Sequence, residues 1–244
     1  PATGTATLLL HRPDKLNALS FELLDELIDA CRWLDAADDI RTVVVRGEGR
    51  AFSAGFDLGD FQQLSRRPVR EGADIGRRAA EALEDVRQLT VAAIHGHCVG
   101  GGIVLAAACD LRVAASSARF SIPEVDLGIP LAWGGIPRLV RELGPAVTKE
   151  LVLTCRPFGA DEALGLRFVN RVVADDDLVA TATEMAVRIA GQPWFSIRDT
   201  KQHVNAVMDE IAGTGRNAND ANTLVAALLD DESRAASKAY LTRP

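Results

Sequence analysis

Three stretches of the chain carry residue types that could do chemistry together: AFSAGFDLGDF at 51–61, HGHCVGGGIVLAAACD at 95–110 and ARFSIPEVDLGIPLAWGG at 118–135. The second holds three consecutive glycines, Gly100 to Gly102, at the head of an apolar run. Glycine is poor material for the interior of a helix or strand, so a triplet there calls for something that comes close. A dinucleotide fingerprint fails, because from Gly100 its final small-residue slot falls on Leu105. A phosphate loop fails too, since no Gly-Lys-Ser/Thr follows. Close helix–strand packing accounts for one or two glycines. A helix start whose backbone N–H approaches a ligand oxygen, with the helix dipole behind it, accounts for them better. Aimed at a carbonyl that gains negative charge, that N–H is half of an oxyanion hole, and the tight loop SAGFDL could supply the other half.

The third stretch offers an acid. Glu124 follows Pro123 among Phe120, Ile122, Val125, Leu127 and Ile129. Burial among such residues raises a carboxyl pKa and suits it to proton transfer near neutrality. A strand-end surface carboxylate is the plainer alternative. His95 and His97 sit two apart in a strand and so point to one face of it, but no third ligand lies near and a metal site is not expected. Cys98 beside them has nothing to orient it as a nucleophile and reads as a packed thiol. Arg66, Arg67, Arg70, Arg77 and Arg78 form the densest basic patch, which reads first as a solvated charged loop.

The elements that must position these groups follow from periodicity. TATLLL at 5–10 reads as a strand stopped by Pro13. Ser20 is a helix N-cap with Leu19 and Leu24 as a hydrophobic staple. Leu23, Leu24, Leu27, Ile28, Cys31 and Leu34 then trace one helical face. TVVVR at 42–46, VAAIHGH, LRVAA and RFSI read as strands, AAEALEDVRQL as a short helix, and 61–78 as irregular or partly helical. From about Trp133 the pattern turns helical, through IPRLVRELG, VTKELVLT, ADEALGL, DLVATATEMAVRIA, SIRDTKQHVNAVMDEI and ANTLVAALLDDESRAASKAYL. An α/β half is thus followed by a helical tail.

The chain has 244 residues, 48% of them hydrophobic and 25% charged, an ordinary globular balance for one large domain or one with an appendage. A net charge of −7 argues against nucleic acid as partner. No apolar run is long enough for a membrane span, and PATGTATLLLHRP lacks the features of a signal peptide. Cys31, Cys98, Cys109 and Cys155 are far apart, as expected of reduced thiols in a cytoplasmic protein.

RPDKLNALS, AFSAGFDL, HGHCVGGGIVLAAACDLRVA, ARFSIPEVDLGIP and GADEALGLRFVNRVV, in this order and spacing, resemble the signature stretches of the enoyl-CoA hydratase/isomerase (crotonase) family, over nearly the whole chain. The resemblance implies an α/β spiral of ββα repeats over 1–190, followed by a helical region, 191–244, for trimerisation and site cover. It implies a homotrimer, or a hexamer built as a dimer of trimers. The substrate is then an acyl-CoA thioester, coenzyme A entering only as part of it, with no metal and no redox cofactor.

Carried over by position, the resemblance puts the oxyanion donors on the backbone N–H groups of Phe56 and Gly101. It assigns Ala54 to Leu58, including Asp57, and the flanking Lys15 and Leu16 to the CoA moiety, and Lys201 to a CoA phosphate. Trp133 suggests an aromatic wall for the acyl pocket, or simply a core aromatic. Hydratases of the family carry two glutamates. Glu124 matches the one in the Pro-Glu motif, whereas Val104 stands at the other, two residues past the triplet. Water addition loses one carboxylate, while a proton shift between C2 and C4 needs one acid/base alone. The resemblance therefore implies 3-enoyl to 2-enoyl isomerisation, with a weak hydratase or a non-catalytic acyl-CoA binder as alternatives. IPLAW holds no aspartate, which disfavours the dehalogenase and hydrolase branches. Arg167 replaces a helix-ending glycine, so that turn is expected to differ locally.

Overall fold

The computed structural model describes residues 4–62 and 69–242. Five short apolar runs form one parallel sheet: β1 (Thr5–Leu10), β2 (Thr42–Gly47), β3 (Leu89–Ile94), β5 (Leu111–Ala115) and β8 (Arg171–Val173), in the order β1-β2-β3-β5-β8. A smaller sheet joins β4 (His97–Val99) in parallel to β6 (Arg119–Ser121), and β6 antiparallel to β7 (Phe158–Gly159). Successive turns of the chain give one strand to each sheet: β3 then β4, β5 then β6, β7 then β8. This is the expected spiral.

Both faces of the large sheet are covered, which is why its strands read as continuous apolar runs rather than alternating ones. Val43, Val45, Ala92, Ile94 and Ala114 face the main core with α1 (Phe21–Ala36). Val44, Val91, Ala93, Val113 and Ala115 pack under α8 (Leu178–Ala190) through Leu178, Ala182 and Ala186. The Ser20 cap forms as expected, its Oγ accepting from the Leu23 N–H at 3.2 Å, and every residue of the α1 stripe is buried.

Short α2 (Leu58–Gln62) leads to the first departure from expectation. The segment 61–78, read as irregular or partly helical, is helical from residue 69 on, so Arg70, Arg77 and Arg78 do not stand in the solvated loop expected of the basic patch. α3 (Val69–Asp85) runs seventeen residues and takes in Arg70, Arg77 and Arg78. Arg77 is tied to Asp74 and Glu81 one turn away on either side, and Arg70 Nε donates to Asn222 Oδ1 at 3.1 Å, so the basic patch is spent partly on helix pairs. Arg66 and Arg67 lie outside the described residues. VAAIHGH is likewise not one strand. Gly96, at φ +54, bends the chain between β3 and β4, and the His95 ring bonds the Gly49 carbonyl at 2.9 Å. His95 and His97 therefore do not share a strand face, and no group of three or more metal-ligating side chains occurs among the described residues.

After α4 (Gly101–Ala108), apolar on every side and wholly buried, the helices run in sequence: α5 (Gly135–Leu143), α6 (Pro145–Thr154), α7 (Ala160–Gly165), α8, α9 (Trp194–Ala212), α10 (Asp220–Leu229) and α11 (Asp231–Leu241). The final run, expected as continuous helix, breaks at Asp230, whose side chain caps α11 by accepting from the Ser233 N–H. α10 packs along α3, and α9 crosses α5. α11 lies on the turn after β6: a Cβ on Gly128 would stand 2.3 Å from the Ser233 carbonyl oxygen, and the Ser237 hydroxyl donates to the Leu127 carbonyl. No helix among the described residues is long and apolar enough to cross a membrane.

Arg167 corrects a second expectation. The turn is not remodelled. Arg167 itself adopts the left-handed conformation at φ +65, while the Phe168 N–H reaches back to the Ala163 carbonyl at 2.9 Å. An exposed side chain tolerates this at a cost of about 1–2 kcal/mol, partly offset by the greater chain entropy of glycine. Arg167→Gly should therefore raise stability by about 1 kcal/mol, read as a Tm higher by about 2–4 °C in a thermal melt. An unchanged or lower Tm refutes the strain.

Candidate active site

The site lies beyond the carboxyl ends of the parallel strands, where an open α/β sheet leaves room for a ligand. Two loops are laced together there. Ser53 bridges Cys98, with the Ser53 N–H donating to the His97 carbonyl and the Val99 N–H to the Ser53 carbonyl, both at 3.0 Å. Leu19 bridges Phe56: the Leu19 N–H goes to the Gly55 carbonyl at 2.8 Å and the Asp57 N–H to the Leu19 carbonyl at 3.1 Å. In such a parallel bridge the N–H of Phe56 itself points away from Leu19.

The same loop brings Phe56 to the glycine triplet, since the Cβ position of Gly55 is 3.7 Å from the Gly101 nitrogen. Gly101 opens α4, where an N–H has no intrahelical acceptor and the helix dipole favours negative charge. The two residues assigned to an oxyanion line one cavity.

Each glycine of the triplet has its own reason. A Cβ on Gly100 would stand 2.4 Å from Glu124 Oε1, and its φ of +50° with ψ of −116° is open to glycine alone. A Cβ on Gly101 would stand 2.3 Å from the Trp133 ring, and one on Gly102 3.0 Å from the Ser53 backbone oxygen. The triplet is where an acid, an indole and a neighbouring loop all approach one backbone.

Glu124 begins the turn after β6. It is half-buried as a residue, yet its Oε2 is shut off from solvent and has no hydrogen-bond partner. Burial pushes its carboxyl from 4.5 up to about 7, against a smaller opposing pull from a backbone hydrogen bond within the residue. The rest of the cavity wall is Gly72, Val104, Ile129, Pro130, Leu131, Ala132, Trp133 and Leu224, so Glu124 is the one ionisable lining residue among the described ones. Val104 is 1% exposed and packs toward Leu131 and Gly135. Cys98 is fully buried with its thiol pushed well up by desolvation, which keeps it from acting as a thiolate.

The other assigned residues divide. Leu16 and Ala54 are joined, the Ala54 N–H donating to the Leu16 carbonyl at 2.9 Å, with Lys15 exposed beside them and Leu58 exposed further along the loop. Asp57 offers no free carboxylate. It takes Arg12 Nη1 at 2.9 Å and the Gly59 N–H at 2.8 Å, and although burial pushes its pKa up, these partners outweigh it and hold the carboxyl below its ordinary value.

Lys201 is a correction. Its ammonium lies 2.9 Å from both the Gln88 carbonyl and Asp110 Oδ2, with a side chain only 4% exposed. A cation so enclosed does not reach a solvent-borne phosphate, and its role is to hold α9 to the end of β3.

Sequence reasoning passed over Asn17, which is fully buried and ties the loop after β2: its Oδ1 accepts from the Arg12 N–H, and its Nδ2 donates to the Glu48 and Ala51 carbonyls. It also passed over Gly76, whose place in mid-helix is visible only once α3 is seen to begin at Val69, and where an interior glycine marks close approach.

With this geometry in hand, comparison with known proteins is decisive. The family model for enoyl-CoA hydratase/isomerase matches residues 2–243. The chain belongs to the enoyl-CoA hydratase/isomerase family. Among curated members, a crotonyl-CoA hydratase of Syntrophomonas wolfei subsp. wolfei is 35% identical over 204 residues, 83% of this chain and 78% of that one. Among solved structures of the family, an enoyl-CoA hydratase/isomerase from Mycobacterium paratuberculosis superposes with a TM-score of 0.89 at 28% identity, covering 97% and 94% of the two chains. A monofunctional enoyl-CoA isomerase from M. smegmatis gives a TM-score of 0.73 at 31% identity, covering 84% and 90%. The architecture is the crotonase fold, and the protein is an acyl-CoA enzyme of this family.

Proposed function

We propose that the protein isomerises 3-enoyl-CoA to 2-enoyl-CoA through an oxyanion-stabilised enolate. The observation that carries this reading is the cavity wall, in which Glu124 is the one ionisable side chain among the described residues and Val104 lines the wall where a second acid would be needed for water. The thioester oxygen accepts from the N–H groups of Gly101 and Phe56. The Glu124 carboxylate takes a proton from C2, and the electron pair delocalises onto the thioester oxygen and along the neighbouring double bond. The carboxylic acid so formed returns the proton to C4, which leaves the double bond between C2 and C3. One group acts in both directions, and a pKa of about 7 suits giving as well as taking. Each oxyanion donor contributes about 3 kcal/mol to such a transition state.

Ala54, Leu58, Leu16 and Lys15 border the route for the CoA moiety in this reading, with Asp57 shaping the loop. Self-association as a homotrimer or hexamer is part of it, supported by an exposed apolar row on α9 formed by Val204, Val207 and Ile211. Assaying a 3-enoyl-CoA and a 2-enoyl-CoA side by side tests the proposal. The expected result is double-bond migration faster than hydration. Faster hydration makes the protein a hydratase, the activity in the names of several relatives, and acyl-CoA binding without turnover makes it a binding homologue.

A further inference from the structure

We propose that Trp133 is an acyl-chain gauge: its indole blocks the passage between α3 and α4 and restricts the acyl group to short chains. The inference rests on the acyl-CoA reading of the cavity but not on which reaction follows. Three contacts fix the indole. One edge lies at α4, where a Cβ on Gly101 would stand 2.3 Å from Cζ3. The middle of the ring system lies at α3, where a Cβ on Gly76 would stand 1.9 Å from Cε2 and 2.0 Å from Cδ2, the two atoms that the rings share. The Phe56 ring meets the indole edge-on at 5.5 Å. Both helices thus carry a glycine where the indole passes, and any side chain there would collide with it.

The backbone is fixed as firmly. Trp133 sits in the left-handed region at φ +62, uncommon for a bulky residue and a mark of functional sites when the surroundings enforce it. Here Arg138 Nη1 donates to the Trp133 and Gly134 carbonyls at 3.0 and 3.2 Å, and the Gly134 N–H donates to Asp220 Oδ2 at 2.8 Å. Arg138 is itself paired with Glu84 of α3. The turn is therefore tied to α3, α5 and α10 at once and does not swing aside for a longer chain. What remains is a cavity of about 50 Å³ with apolar walls at Val104, Leu131 and Leu224, room for a few water molecules.

Affinity for saturated acyl-CoA thioesters, measured by calorimetry from butyryl through hexanoyl and octanoyl to decanoyl, reads the gauge without any turnover. Each methylene that a pocket accepts tightens Kd about fourfold. For the native chain that gain should stop at about six carbons, and for Trp133→Ala it should continue to about ten at the same fourfold step. Trp133→Leu, which keeps an apolar residue in the wall, should extend the series part of the way, and Gly76→Ala, which drives the indole inward, should end it sooner. A native series that rises steadily to decanoyl, or variant series that superimpose on it, overturns the gauge and leaves the acyl-CoA reading standing. Absence of acyl-CoA binding by the native chain overturns both.

Discussion

Glu124→Gln should lower kcat on a 3-enoyl-CoA by about a thousandfold while leaving acyl-CoA affinity in place. Glutamine keeps the shape that meets Gly100 but neither takes nor gives a proton at C2. Retained turnover in this variant removes Glu124 from the mechanism. In the native chain the carboxylate is the starting form, so kcat/KM should climb about tenfold per pH unit below 7 and level off above.

The same shift has a stability consequence whose sign is fixed. The folded pKa lies above the unfolded one, so the carboxyl stabilises the fold fully below about 4.5 and that contribution is lost as pH rises through 7. A shift from 4.5 to about 7 corresponds to roughly 3 kcal/mol. The glutamine variant carries no such loss. Its stability relative to the native chain should therefore improve between pH 4.5 and 7 and then hold steady, less a constant cost for burying the amide's unmatched donors. Chemical denaturation at pH 5 and pH 8 measures the difference, and a difference that does not change with pH would falsify the burial argument.

Gly100→Ala should be the most damaging single-methyl change in the site. Two penalties fall on one position. The backbone at φ +50, ψ −116 is closed to alanine and costs about 1–3 kcal/mol, and the methyl would stand 2.4 Å from Glu124 Oε1. Relief requires the chain to rotate at the head of α4. That turns the Gly101 N–H off the thioester oxygen and displaces the carboxyl together. The expected loss in kcat is about a hundred- to a thousandfold, with a lowered Tm. By contrast a methyl on Gly102 meets Ser53 at 3.0 Å, close enough to shift a loop but remote from Glu124. Equal losses at Gly100 and Gly102 would show that the triplet serves packing alone.

Much of this was legible in the residues. α1 announced itself by a cap, a staple and a stripe, and the strands by apolar runs of the length that a doubly covered sheet needs. Glu124 read from its own neighbours most plainly as a strand-end carboxylate, and the resemblance alone marked it as the acid, because the groups that enclose it include Gly100, Phe56, Val104 and Leu224, far away in the chain. The failures share a cause. α3 was under-read because Gly72 and Gly76 depress its helical pattern, and the indole of Trp133, which requires the glycine at 76, lies more than fifty positions away. Lys201 was misplaced because a motif shows only that a lysine is present, whereas its partner, Asp110, decides whether it faces water. The break at Asp230 and the turn at Gly96 each hang on one hydrogen-bonding or backbone choice inside a pattern that reads as continuous.

The placing of α10 and α11 bears on how the protein is made. The sheet, the loop at Phe56 and the head of α4 all emerge from the ribosome first. Leu224 of α10 then closes the cavity, Asp220 ties down the turn that carries Trp133, and α11 settles on the turn that carries Glu124. A nascent chain stopped before residue 220 holds the reactive backbone but neither the lid nor the tether. The wall residues Phe56, Gly101 and Glu124 are thus made before the residues that close and brace the cavity around them.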